Sequence, residues 1–556
     1  MSTQVFGPFT VGVRGGRGNT RVRTGITVQP KDLITTYSTG LVDFGGAVLG
    51  IGAPILDADG DDWTTPSNYP APDQRKNSLL VQVDSKYFQG GKNKTLTIPS
   101  DVSGELFLDV NDATPKDNSR GWSVYIYHTP FVASGGVQPP HVMNWSFATI
   151  AGEGGIFGAD VGICPKALDF DYRKIDVFYE GAARLNHIRI DPDLALPLRF
   201  QEELEEILDG NSTADGRTTN SIGEMADGSY ADISAVKFIN QMHVFYVDAV
   251  LGRLRHASGN GVTWQFEDLD GHGGSNGRIQ GICGFFNCAL MYNTGIHVFY
   301  FGSTDLALGQ GPGGHGEGTG NLRHAIFDGN NWTFEIIDGH AEGPNGEINA
   351  MVGTSPSATV DSNGDLHVFY YDQDHTNLRH ALLRPGQSPR FETLDGSGDP
   401  NPSDVPSGQT KAHVGVWSVC ASFRDTLHVF YYDMSYGNIR HAALPNGGAW
   451  TFEKFDGGGG PGGRVKSNVG HGPMSLAVLP DQLSLFYYDQ TKGNLRHAWT
   501  FDGRTWLFEN LDGDGGPAGR ITQNVGQSVG SVVHNGILHV FYDDHDNKDL
   551  RYALYA

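Results

Sequence analysis

The chain is poor in cysteine and in positive charge, and it lacks both long apolar runs and long amphipathic helical patterns. Four cysteines (Cys164, Cys283, Cys288, Cys420) in 556 residues are too few for a disulfide framework. They are expected as buried free thiols, with a local Cys283–Cys288 bridge as the alternative. Lys and Arg total 39 against 63 Asp and Glu, a formal net charge of −24. That balance argues against nucleic acid or an anionic membrane as a general partner. The acidic residues are spread through Asp-Gly turns, which read as solvated loops. No apolar stretch reaches the roughly 18 residues of a spanning helix, so membrane insertion is not expected. The start, Met1-Ser2-Thr3-Gln4, lacks the basic and apolar segments of an ordinary secretory signal.

What is abundant is glycine (77 residues) and aromatic side chains (11%), the mixture of tight turns between aromatic-rich strands. The aromatics recur in a phrase. At its clearest, Leu427-His428-Val429-Phe430-Tyr431-Tyr432-Asp433 leads to Asn438-Ile439-Arg440-His441-Ala442 and then Trp450-Thr451-Phe452-Glu453-Lys454-Phe455-Asp456-Gly457. The Val-Phe-Tyr step is preceded in turn by Asp176, His243, His297, His367, His428, Ser484 and His539, so consecutive copies lie 54 to 70 residues apart. Several short strands per repeat at such a period predict a β-propeller, and seven copies predict seven blades. The excess length falls in loops such as 309–320 and 397–408, where insertion costs little closure entropy. The last copy stops at Leu550-Arg551-Tyr552-Ala553 without its Trp-Phe strand, and Asn144-Trp145-Ser146-Phe147 with Ile150-Ala151-Gly152 supplies the missing pattern. Residues 143–152 are therefore expected to complete the last blade and hide two sheet edges. The first copy is the poorest, with Leu185-Asn186-His187 in place of Leu-Arg-His.

The propeller is predicted over 143–556, a Pro/Gly linker over 129–142, and a separate unit over 1–128. Alternating patterns at 33–37, 79–83, 106–110 and 122–126 predict a small β-sandwich there, making the fold class all-β. Its chemistry is concentrated in Asn111-Asp112-Ala113-Thr114-Pro115-Lys116-Asp117-Asn118. A strand ends in Asn-Asp and a short loop returns Asp-Asn, which can gather hard oxygen donors suited to Ca²⁺. The same residues also cap turns, so the loop by itself leaves both readings open.

The run Gly25-Ile26-Thr27-Val28-Gln29-Pro30-Lys31-Asp32, then Gly40-Leu41-Val42-Asp43-Phe44-Gly45, then the Asn-Asp…Asp-Asn loop, resembles the LecA-type (PA-IL-like) calcium-dependent galactophilic lectins over about residues 5–127. In that family one calcium holds the protein and two vicinal sugar hydroxyls together. The resemblance implies Asp112, Asp117 and Asn118 as side-chain ligands, backbone carbonyls from Phe44 and Thr114, and Gln74 as a sugar contact beside Asp112 and Asp117. Phe44 stands at a usual tyrosine, and Ala71 at the family's sugar-contacting histidine.

The repeat region, with Asp502-Gly503-Arg504-Thr505-Trp506 and Asp328-Gly329-Asn330-Asn331-Trp332, is similar to the PLL-type seven-bladed propeller lectins. That family binds fucose and related sugars between blades. Its Leu-Trp-His or Leu-Tyr-His step is Leu-Arg-His here. Alternation puts His367, Phe369 and Tyr371 on one sheet face and Val368, Tyr370 and Asp372 on the other. The repeated histidines, His380, His441 and His497 among them, read as packing and strand-pairing residues. Stacking and hydroxyl binding single out Tyr371, Asp372 and Arg379, then Tyr432, Asp433 and Arg440, then Tyr488, Asp489 and Arg496, as candidate sugar contacts in the propeller. The irregular segments carry no catalytic triad, with His315 and Glu317 the one local acid/base pair, so no enzyme is expected. The resemblances imply a calcium-dependent, multivalent lectin for galactose- or fucose-type glycans of cell surfaces, cytoplasmic until released, with oligomerisation open. A protein-binding propeller with a structural calcium, or a glycan-processing enzyme, is the alternative.

Overall fold

The computed structural model describes residues 4–11, 21–39, 42–44, 55–56, 58, 69–72, 74–91, 93–99, 101–112, 118–120, 122–129, 145–152, 162–171, 174–190, 202–223, 232–304, 320–396 and 408–555. They are all-β, with one short helical turn at Ala214–Gly216. The chain divides into two compact units, one built around residues 1–144 and one carrying the repeats from Trp145 on. The predicted linker lies outside the described residues beyond Thr129.

In the first unit, Gln4–Val11, Trp122–Thr129, Leu33–Thr39 and Asn93–Thr97 form one antiparallel sheet. Val22–Val28, Gly104–Val110, Leu79–Val83 and Lys86–Gln89 form a second. Alternate residues of both share one core: Ile34, Trp122, Val124 and Ile126 from the first, Ile26, Val81, Val83 and Leu108 from the second. A short third sheet pairs Asn118–Arg120 with Val42–Phe44.

The repeat unit is a set of four-stranded antiparallel sheets, the building plan of a β-propeller. Seven are described: 163–209, 234–270, 282–338, 352–395, 414–456, 475–512, and 525–555. The last takes its fourth strand from Trp145–Ala151, which runs antiparallel to Asp549–Tyr555 with Trp145 opposite Tyr555. The first strands converge on a cavity of about 260 Å³ lined by all seven sheets, through Cys164, Ser234, Cys288, Ser357, Cys420, Ser475 and Ser531. All four cysteines are free, so the Cys283–Cys288 bridge is not formed.

Neighbouring sheets are joined by a repeated buried clasp. Asp209, Asp270, Asp338, Asp395, Asp456 and Asp512 end their sheets' outer strands and are at most 1% exposed. Each Oδ2 accepts a tyrosine hydroxyl from the next sheet (Tyr246, Tyr300, Tyr370, Tyr431, Tyr487, Tyr542) at 2.6–2.7 Å. It also accepts Nε of that sheet's arginine (Arg255, Arg323, Arg379, Arg440, Arg496, Arg551) at 2.8–3.2 Å. Each Oδ1 accepts backbone N–H groups from its own loop, as Asp512 does from Gly513 and Ile521. Gly513 adopts φ 102° to allow this, and a Cβ there would lie 2.8 Å from Asn494 Oδ1. The Leu-Asp-Gly aspartates are therefore not solvated turn residues, as the composition suggested. They are buried, and paired, because an unpaired buried carboxylate costs several kcal/mol.

The contact between the last and the first of these sheets is different. Ala151 stands where the other outer strands end in aspartate, and Asn186 where the other sheets carry arginine. Both charges are absent together, Tyr179 packs with Ala151 in an apolar cluster, and the Asn186 amide turns to Gly181 and Arg184 of its own hairpin. Asp456→Ala is expected to strand Arg496 and lower stability by about 3–5 kcal/mol, read as a fall in urea midpoint. The double variant Asp456→Ala/Arg496→Asn, which copies that contact, is expected to recover more than half of that loss.

Candidate functional site in the cleft between the fourth and fifth sheets

Each of the second to fifth sheets carries a relay across three strands. A histidine on the second strand (His243, His297, His367, His428) meets, through Nδ1, Nε2 of a histidine on the third (His256, His324, His380, His441) at 2.9–3.0 Å. The third-strand Nδ1 meets a glutamate on the outer strand (Glu267, Glu335, Glu392, Glu453) at 2.8–3.0 Å. The histidines thus serve strand pairing, and each third-strand ring stacks on a phenylalanine, as His380 does on Phe369 at 4.7 Å. In the first sheet His187 lies between Asp176 and Glu206, whose carboxylates raise its pKa against the effect of burial.

What covers the far end of the relay varies. In the second sheet Phe238 stands edge-on to His243, and Phe327 of the third sheet tilts over the same ring. Tyr292 covers His297 in the same way. Strand register aligns the covering positions. Met242 and Leu366, the residues before His243 and His367, pair with Lys237 and Val360, and the next residues are Phe238 and Asp361. Similarly, Phe327 and Leu444 are opposite Ile296 and Leu427 in their sheets. Where two phenyl rings seal the second relay, an aspartate and a leucine stand over the fourth.

The exchange leaves a cleft of about 240 Å³ between the fourth and fifth sheets, lined among others by Asp361, His367, Arg384, Asp425, Leu444 and Trp450. Asp361 Oδ1 accepts the amides of Asn363 and Asp365, which shapes the hairpin. Arg384 is paired with Asp365 through Nε at 2.7 Å and Nη2 at 2.6 Å. Asn363 and Asn446 link their side-chain amides across the rim at 3.3 Å. His367 is 4% exposed and its Nε2 makes no hydrogen bond, with Asp361 Oδ2 3.5 Å away. Neither Asp361 nor His367 is among the sequence-derived candidates. The available signal was a hairpin, 361–365, one residue longer than those of the second, third and fifth sheets and acidic where they carry Phe238, Tyr292 and Phe423.

The nine propeller candidates are corrected. Arg379, Arg440 and Arg496 are 2–6% exposed and are the arginines of the clasp. Asp372, Asp433 and Asp489 are 1% exposed and cap turns through the amides of His375, Tyr436 and Lys492. Tyr371, Tyr432 and Tyr488 are 4–6% exposed and their hydroxyls bond His413, Asn468 and Asn524. Alternation also points each arginine away from the neighbouring Leu and His, so the trios do not converge. Tyr432 borders a shallow depression with Tyr436, Lys466 and Asn468. His315 and Glu317 lie outside the described residues.

In the first unit, Thr114 and Asp117 lie outside the described residues. Around them, Asn118 is opposite Phe44 in the short third sheet. The Asn111 side chain, next to Asp112, accepts from Ala71 N at 3.1 Å and donates to Ala71 O at 3.1 Å and Arg75 O at 2.9 Å. That amide fastens the segment bearing Gln74 beside the strand end bearing Asp112, which is 7% exposed. The backbone so gathers Phe44 with Asn118, and Gln74 with Asp112.

No protein-family model matches the chain, and no curated protein does. Among solved structures it is similar to an Aleuria aurantia lectin in complex with Fucα1-6GlcNAc (15% identity, 65% of this chain and 99% of that one, TM-score 0.36). It is also similar to a Hadza microbial sialidase (11%, 96% and 95%, TM-score 0.40). A third is an α-L-arabinofuranosidase from Fusarium graminearum (9%, 74% and 97%, TM-score 0.39). Scores this low tie the chain to none of them.

The relay has a pH signature. Burial, then the neighbouring histidine, pushes His243 and His428 down to about 3 and His367 down to about 4. An unfolded histidine titrates near 6.5, so below that pH the unfolded chain binds protons the native state refuses. The stabilisation is complete above about pH 6.5 and is lost as pH falls toward about 4, at up to about 1.4 kcal/mol per pH unit for each residue. Urea midpoints are expected to drop from pH 7 to pH 5, and His428→Gln is expected to reduce proton uptake on unfolding at pH 5 by about one.

Proposed function

We propose that this chain is a carbohydrate-binding protein with two kinds of site, a calcium-dependent one in the first unit and a polar cleft between sheets of the second. The reading takes the seven sheets as blades of one closed propeller and the first unit as a β-sandwich. The observation that carries it is the break in the repeat at Asp361, which replaces an apolar plug by a cleft with polar acceptors and a Trp450 wall. A pyranose needs this combination, since its C–H face packs on an aromatic ring while its hydroxyls require fixed partners.

In the first unit the donors that fit calcium are hard oxygens: the Asp112, Asp117 and Asn118 side chains with the Phe44 and Thr114 carbonyls. The register of Asn118 against Phe44, and the Asn111 tether of the Gln74 segment beside Asp112, support that grouping. Calcium, when bound, would exchange coordinated water for two vicinal hydroxyls. Asp112 supplies charge and Gln74 a hydrogen bond to the sugar. A neutral diol gains little from hydrogen bonds alone over water, so the ion is the larger source of affinity. Two weak sites in one chain favour multivalent attachment to glycan-coated cell surfaces, the resemblances implying galactose-type glycans for the first unit and fucose-type glycans for the second.

A glycan array of the intact protein, run in calcium and in EDTA, tests the reading. Binding is expected in both conditions, to different glycans. Asp112→Ala is expected to remove the calcium-dependent set and leave the EDTA-resistant set unchanged. An array blank in both conditions overturns the proposal.

A further inference from the structure

Resting on that reading, we infer that the cleft between the fourth and fifth sheets selects an amino sugar, a pyranose with a free protonated amine, over neutral or acidic sugars. The relay decides what the cleft offers. A carboxylate has only lone pairs, so the bond between Glu392 and His380 takes its hydrogen from His380 Nδ1. A neutral His380 then presents a lone pair at Nε2, and the bond to it takes its hydrogen from His367 Nδ1. His367 Nε2 is left as an acceptor, buried, without a hydrogen bond, on the cleft wall.

The nearby group is an acceptor as well. Asp361 Oδ2, 3.5 Å from His367 Nε2, already takes one hydrogen bond from the Asn363 amide at 3.0 Å and keeps a free lone-pair direction. Against the pull of burial, the amides of Asp365 and Asn363 hold the Asp361 carboxyl ionised. Two acceptors this close call for one group that donates to both. A hydroxyl donates once, an acetamido N–H once with added bulk, and an ammonium three times.

Charge points the same way. Asp361, Asp365, Asp425 and Glu392 line the cleft against Arg384 alone, and Arg384 is already spent on Asp365. A sialic or uronic acid would meet an excess of negative charge with no free cation, whereas an ammonium is drawn in. Leu444 and Trp450 supply the apolar wall for the ring. At about 240 Å³ the cleft is smaller than the ~300–1,000 Å³ of drug-sized pockets and suits one sugar residue. Among His243, His297 and His367, only His367 faces a carboxylate at the covering position, while His243 and His297 face rings.

Calorimetric titration of the full chain in EDTA at about pH 6.5, where free amines are protonated and histidines of depressed pKa are neutral, tests this. The titrants are glucosamine, N-acetylglucosamine, glucose, glucuronic acid and putrescine. Glucosamine is expected to bind at least about tenfold more tightly than the others. Asp361→Asn, which keeps the turn acceptor, is expected to erase the preference, and Asp361→Phe, which copies Phe238, to erase binding. Equal binding of the sugars, lost in Asp361→Phe, overturns the amine selectivity and leaves the glycan reading standing. Putrescine binding as tightly as glucosamine overturns the sugar half of the inference. No sugar bound in EDTA overturns it entirely, and the glycan reading then rests on the calcium arm.

Discussion

A carboxylate with all its acceptor directions filled sits at each of the six joints between consecutive sheets from the first to the last, and the rest of the repeat unit depends on it. Asp456, for example, takes two backbone amides on one oxygen and Tyr487 with Arg496 on the other. Arg496 in turn spends Nη2 on the carbonyl of Gly463, in the loop leading from the sheet that carries Asp456. Because every polar atom has one geometry that satisfies it, the clasp sets how adjacent sheets face each other. That fixed facing makes a covering residue on one hairpin meet a side chain of the next sheet. The cleft is a local change of lining on a frame the clasps hold constant.

The same relay of two histidines and a glutamate is sealed by rings in one place and opens on a cleft in another. Rings over His243 and His297 make the relay an internal strut, and the last nitrogen of His243 is buried without a hydrogen bond. Over His367 a carboxylate replaces the ring, and the same nitrogen becomes part of a surface that a donor can reach. The cleft requires no new scaffold, only the replacement of a covering ring.

The repeats themselves were legible from chemistry alone: the strand phrase, its recurrence, and the Trp145–Ala151 segment that supplies the fourth strand of the last sheet. The face alternation of His367, Phe369 and Tyr371 was legible too. What alternation does not contain is what stands opposite a face. Arg379 reads as a free cation beside an aromatic, but its partner Asp338 lies 41 residues earlier in another sheet. The Leu-Asp-Gly aspartates read as turn residues for the same reason, since their tyrosine and arginine come from the following repeat. Asp361 was hidden differently. Its hairpin is one residue longer than those of the second, third and fifth sheets, so only the pairing of Val360 with Leu366 aligns it with Phe238. In the first unit, Asn111 read as a loop residue and proved to be the fastener of the Gln74 segment.

The uncharged seam between Ala151 and Asn186 bears on how the chain is made. Thr149 and its partner Arg551 are 402 positions apart, so a ribosome releases one edge long before the strand that covers it. Had that edge carried the aspartate of the other joints, the apolar cluster of Ile150, Tyr179 and Ile188 would have had to assemble around a lone carboxylate. With alanine and asparagine there, the early edge can dock on the first sheet during translation and wait without an electrostatic penalty.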